Sequence, residues 1–170
     1  DLMEEINELY ESSEQTLIEL ELRPEDNELQ RALFRSIHTI KGDLGLVNFS
    51  PMIPLLQHVE DLLDYLRKGQ VAYTSTMSDL VLLTMDRVKA FVESVMANGK
   101  AEYDDNLHNQ LVLAIGRVTP ENTSEHEKRL TEAVLLLNPA LDIVTDEDDP
   151  QNVQIKPPTL AATGIPKDIS

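Results

Sequence analysis

His38 is followed three residues later by Lys41, and glycines stand at positions 42 and 45. A neutral imidazole is a nucleophile near physiological pH, and a lysine one helical turn away would stabilise an anion attached to it. Glycine in a helix interior costs roughly 1 kcal/mol relative to alanine, so two glycines beside a histidine need a reason. Leu33, Ile37, Ile40 and Leu44 read as the buried stripe of one helix. His38 is then turned about 100° from Ile37, onto an exposed or boundary face shared with Arg31, Arg35, Lys41, Gly42 and Gly45. Along that ridge Gly42 and Gly45 follow the histidine at i+4 and i+7. The missing side chains flatten the ridge and let another molecule approach the ring. The chemistry this favours is phosphorylation of the histidine itself.

The elements that must carry these residues are helices. Residues 2–22 place Leu2, Ile6, Leu9, Leu17 and Leu20 at near-helical spacing, and Pro24 prevents continuation. Asp26 or Asn27 caps a second helix, with Asn48 as its stop. Ser50 before Pro51 signals a third, whose stripe runs from Met52 to Leu66 and ends at Arg67. After a loop, a fourth helix spans about 76–97 and a shorter fifth spans Asp104–Gly116. The pattern predicts an all-α fold: an up-down-up-down four-helix bundle with a fifth packing helix, filling residues 1–117. Residues 118–170 read as a C-terminal extension, with one possible helix at 124–137. The acidic and proline-punctuated remainder has the composition of a linker or tail.

Composition narrows the partners. With 31 acidic and 14 basic residues the formal net charge is −17, which disfavours nucleic acid and anionic membrane surfaces. The absence of cysteine excludes disulfides, thiol nucleophiles and thiolate metal sites. No apolar run is long enough for a bilayer span, so no membrane insertion is expected and a cytoplasmic location is the default. The chain opens on Asp1 rather than Met, as a fragment or processed form of a longer protein would.

The segment HTIKGDLG resembles the H-T/S-x-K-G-x-x-G signature of histidine-containing phosphotransfer (HPt) domains, particularly those of chemotaxis-type histidine kinases. The likeness runs from Phe34 to Gln70 and, in helix pattern, over about residues 1–116. It implies a helical bundle with an exposed histidine midway along the second helix. That histidine accepts a phosphoryl group from a kinase or a receiver aspartyl phosphate and passes it to a receiver aspartate. Carried over by position, His38 is the phosphoacceptor and Lys41 the cation beside it, while Gly42 and Gly45 give the partner clearance. Glu60 stands where these domains place a glutamate that hydrogen-bonds the other ring nitrogen, leaving the first as nucleophile. Gln57 replaces a histidine three residues before that glutamate, with His58 shifted one position along, and Gln57 can still hydrogen-bond at the site. Asp43 puts a negative charge near the face that must host phosphate. Arg31, Arg35 and Lys41 form a local basic patch for docking, with Leu46 or Phe34 at the helix edge as apolar contacts.

Other features read as ordinary structure. His58, His108 and His126 lack the company His38 keeps, and no HExxH or facing histidine pair suggests a metal. The DEDD run at 146–149 lacks the glycine and distal glutamate of an EF-hand loop. There is no G-x-x-x-x-G-K-[ST] loop to hold ATP. No cofactor is therefore expected in this chain, and Mg2+ belongs to the partner receiver. The rival reading is a helical scaffold that docks receivers without accepting phosphate. A third is a helical regulator that uses 124–137 as a partner helix.

Overall fold

The described residues of the computed structural model are 1–45, 47–121, 123–138 and 143. Their regular structure is helical throughout: α1 (Leu2–Leu22), α2 (Asn27–Asp43), α3 (Ile53–Arg67), α4 (Ser75–Asn98), α5 (Asp105–Gly116) and α6 (Thr123–Leu137). A 3₁₀ turn, Val47–Met52, precedes α3. The all-α bundle expected from the stripes is present.

Local chemistry sets the helix ends. The Asp1 and Glu4 side chains form a reciprocal capping box at the start of α1. Asp26 caps α2 by accepting from the backbone N–H groups of Glu28 and Leu29 at 2.9 and 3.1 Å. Thr74 and Asp104 cap α4 and α5 in the same way. Gly99 ends α4 with φ of 82°, a left-handed conformation that glycine adopts without strain.

Two expected boundaries move. α2 stops at Asp43 rather than near Asn48. The buried Leu44 turns in to the core, its N–H donating to Ile40 O at 3.0 Å, and the Gly45 N–H closes on Gly42 O at 3.2 Å. Gly45 therefore lies beyond the helix and not on the ridge of His38. Likewise α3 begins at Ile53 rather than at the Ser50–Pro51 pair. A helix started there would need a donor from residue 54, which is proline and has none. The Pro51 carbonyl accepts instead from His108 Nε2–H at 2.8 Å.

The bundle closes through α1 on α2, α2 on α3, and α4 on α1, with α5 against α3 and α6 against α4 and α5. Its centre is aliphatic: Leu20, Leu33, Ile37, Leu56, Leu63, Leu80 and Val92 are fully buried. Phe49, Phe91, Tyr103 and His108 form an edge-to-face chain linking the 3₁₀ turn, α4 and α5, with centroid spacings of 6.3, 5.8 and 5.2 Å. His108 is pinned within it. Its Nε2–H faces a carbonyl, so its Nδ1 accepts from the Arg87 guanidinium at 3.3 Å, the arrangement of a neutral ring. The Tyr10 hydroxyl donates to Asp86 Oδ1 at 2.5 Å and ties α1 to α4. Leu130, Ala133, Val134 and Leu137 of α6 are buried in the same core. The tail residues 139–142 and 144–170, the DEDD run among them, lie outside the described residues. Among those described, no helix is long and apolar enough to cross a membrane.

Leu33 and Leu22 sit at opposite extremes of this fold, fully buried and 79% exposed. Leu33→Ala is expected to lower the unfolding free energy by about 2–5 kcal/mol. Leu22→Ala is expected to change it by no more than about 0.5 kcal/mol. Urea unfolding followed by circular dichroism checks both.

Candidate functional site

α2 and α3 run antiparallel, and each turns a polar ridge toward the other beside the core stripe. On α2 the ridge is Phe34, His38 and Lys41; on α3 it is Gln57, Glu60, Asp61 and Asp64. These positions repeat at three and four, the spacing that keeps side chains on one helical face. The antiparallel register sets Lys41 opposite Gln57, His38 opposite Glu60, and Phe34 opposite the last turn of α3.

Glu60 is the centre of the cluster. Its side chain is only 8% exposed, whereas Lys41 is 20% and His38 65% exposed. Oε1 accepts from Lys41 Nζ at 2.6 Å, and Oε2 is hydrogen-bonded by His38 Nδ1. Burial pushes the Glu60 carboxyl up, but the hydrogen bonds from Lys41 and His38 outweigh it and hold the group below its ordinary range. An ionised carboxylate only accepts, so the bonded Nδ1 carries the proton. In the neutral ring Nε2 then keeps its lone pair, on a side chain mostly in solvent. Lys41 Nζ also donates to Gln57 Oε1 at 2.8 Å, and Gln57 Nε2 donates to Asp61 Oδ1 at 3.0 Å. Gln57 thus reaches the histidine through Lys41 and Glu60.

The ridge before His38 carries Arg35, exposed one turn away, and Arg31, 3.8 Å from Glu28. After His38, Gly42 is exposed and a Cβ added there would meet nothing within 4 Å. Among the described residues nothing requires glycine at that position. At Gly45, outside the helix, a Cβ would come 3.3 Å from Gly42 O.

Asp43 does not crowd this face. Five residues beyond His38, it is turned about 140° around the helix and meets Glu5 of α1, whose carboxyl it raises by a hydrogen bond and by like charge. His58 points away as well: a Cβ on Gly116 of α5 would fall 2.9 Å from its Nε2, so the ring lies against α5. His126 is buried and donates Nδ1–H to Thr119 O at 3.0 Å. Leu46 lies outside the described residues.

Phe34 is half-buried, and its ring lies parallel to that of His38, with centroids 6.3 Å apart. The Arg67 guanidinium stands over the Phe34 ring, 4.2 Å from its centroid. Arg67 was not among the residues singled out from sequence. Its position in the last turn of α3 becomes meaningful only once the α2–α3 register is known.

The family model described as the Hpt domain matches residues 1–91. Among curated proteins, the chain is 32% identical over 136 residues to the sensor histidine kinase CheAY of Helicobacter pylori, covering 78% of this chain and 17% of that protein. It is 35% identical over 88 residues to the chemotaxis protein CheA of Halobacterium salinarum, covering 52% and 13%. Against the chemotaxis protein CheA of Salmonella typhimurium it is 32% identical over 123 residues, covering 69% and 18%. The chain thus spans less than a fifth of the length of these relatives.

Because the folded protein lowers the Glu60 pKa, the carboxylate stabilises the fold most above its ordinary value of 4.5. That contribution is lost as pH falls from there through the folded-state pKa. Glu60→Gln is expected to cost about 1–3 kcal/mol at neutral pH. The gap between native protein and variant should narrow as pH falls below 4.5. Urea unfolding at stepped pH measures it; a gap that stays constant into acid contradicts the assignment.

Proposed function

The chain belongs to the Hpt domain family and is a histidine phosphotransfer module of two-component signalling, and on that premise we propose that His38 Nε2 is the atom that carries the phosphoryl group. The observation that carries this reading is the exposed imidazole whose Nδ1 is bound to a buried, ionised Glu60.

The Nε2 lone pair attacks the phosphorus of a donor, such as an aspartyl phosphate on a receiver. An N–P bond forms, and the P–O bond breaks with its electron pair leaving on the donor carboxylate. The Nδ1 proton stays where it is, so the phosphorylated ring becomes cationic and Glu60 faces the new positive charge. Attack by a receiver aspartate reverses the sequence and discharges the ring. Lys41, bonded to Glu60, holds that carboxylate ionised and in place, and Gln57 holds Lys41. Arg35 and Gly42 form the approach: one offers charge to the incoming phosphate, the other a surface without side chain.

The partners in this reading are a histidine kinase and a receiver domain. Mg2+ is expected on the partner receiver, where it would supply charge neutralisation for the phosphoryl oxygens. A cytoplasmic location goes with the reading, since the ATP that charges such a relay is used there. Docking depends on the local basic ridge rather than on global attraction, because a net charge of −17 repels acidic partners.

His38→Gln separates a carrier from a scaffold. Incubated with a phosphorylated receiver, the native chain should gain acid-labile phosphate and the variant none. Equal labelling of the two, or no labelling of the native chain, contradicts the proposal.

A further inference from the structure

We propose that Phe34 and Arg67 are positioning residues for His38, forming a guanidinium–phenyl–imidazole stack that fixes the plane of the reactive ring. The proposal rests on the phosphotransfer reading of His38 and deepens it.

A histidine that is 65% exposed has little protein around it to set its orientation. The torsion that turns an imidazole about its Cβ–Cγ bond has a broad profile. The hydrogen bond to Glu60 selects which edge faces α3, because a half-turn of the ring would present a C–H to the carboxylate in place of Nδ1–H. That single bond still lets the ring tilt about the line between Nδ1 and the carboxylate oxygen. The attacking lone pair on Nε2 lies in the ring plane, so tilting the plane swings the direction of attack.

Phe34 supplies the missing restraint. Placed four residues before His38, its ring lies within 7° of parallel to the imidazole at a centroid distance of 6.3 Å, in the range of offset stacking. One restraint therefore acts on an edge of the ring and the other on its face, and a single orientation satisfies both. Phe34 is itself held by Arg67, whose guanidinium lies 4.2 Å from the phenyl centroid. Arg67 is anchored by Asp64 at 2.6 Å, and Lys68 binds the other oxygen of that carboxylate at 2.9 Å. Hydrogen bonds from Lys68 and Arg67 hold the Asp64 carboxyl below its usual range, so the anchor stays ionised at neutral pH. Anchored in this way, Arg67 lays a planar guanidinium against the phenyl ring, a role that lysine does not reproduce.

This differs from a docking role for Phe34, which would act on receiver affinity. Positioning acts on the ring itself. The experiment uses the full chain with carbon-13 and nitrogen-15 in its histidines, as the native protein and as Phe34→Leu, Phe34→Tyr and Arg67→Lys. Leucine keeps the apolar bulk and removes the ring; tyrosine restores the ring. The His38 nitrogen shifts should match in all four, because Glu60 holds the Nδ1 proton in each. Relaxation of the His38 ring carbons should show a rigid ring in the native chain and in Phe34→Tyr. In Phe34→Leu, and less strongly in Arg67→Lys, the ring C–H order parameters should fall. Phosphoryl transfer at saturating receiver should fall about threefold to tenfold in Phe34→Leu and stay within about twofold in Phe34→Tyr. Far-UV circular dichroism identifies any variant that has lost the fold. Native ring C–H order parameters and a native saturating rate in Phe34→Leu overturn the proposal, as does a loss confined to receiver affinity. The order parameters decide it independently of phosphate uptake, which tests the underlying function alone.

Discussion

The Glu60 carboxylate lies almost wholly out of water, yet it remains ionised because Lys41 and His38, two donors from the facing helix, occupy its two oxygens. A buried carboxylate without such donors costs several kcal/mol, so this pair of bonds fixes the register of α2 against α3. The same contacts fix the chemistry: the carboxylate assigns the Nδ1 proton, and the assignment makes Nε2 the free nitrogen. Core burial brings the two helices together. The polar ridge beside that core determines which nitrogen faces outward.

The arrangement also redistributes the work between cations. From sequence, Lys41 looks like the charge that awaits a phosphate. In the structure it is 20% exposed and bonded to Glu60 and Gln57, so its first task is to keep the carboxylate ionised. The charge facing solvent on the histidine's own ridge comes from Arg35, with Arg31 one turn further back. In a chain of net charge −17, a short basic ridge around a single exposed ring tells a partner where to dock.

Much of this was legible in the residues because helices have one period. The apolar stripe of α2 sets the angular position of His38, and the bundle follows from four such stripes. Helix ends were less legible, since they depend on competition for single hydrogen bonds. Leu44 turns inward and strands Gly45 beyond the helix, and the proline at 54 denies Ser50 a helical donor. Asp43 looked like an obstacle from spacing alone, but the α1 partner that receives it is nearly forty residues away in the chain. The Arg67–Phe34 contact was invisible for a similar reason, because it depends on how two helices are set against each other.

Glu60 should make Nε2 the reactive atom, and the most direct test locates the new bond. Phosphorus–nitrogen correlation on the histidine-labelled, phosphorylated chain should place the phosphoryl group on Nε2 of His38, with the proton retained on Nδ1. Phosphorus bonded to Nδ1, or to any other histidine, would contradict it.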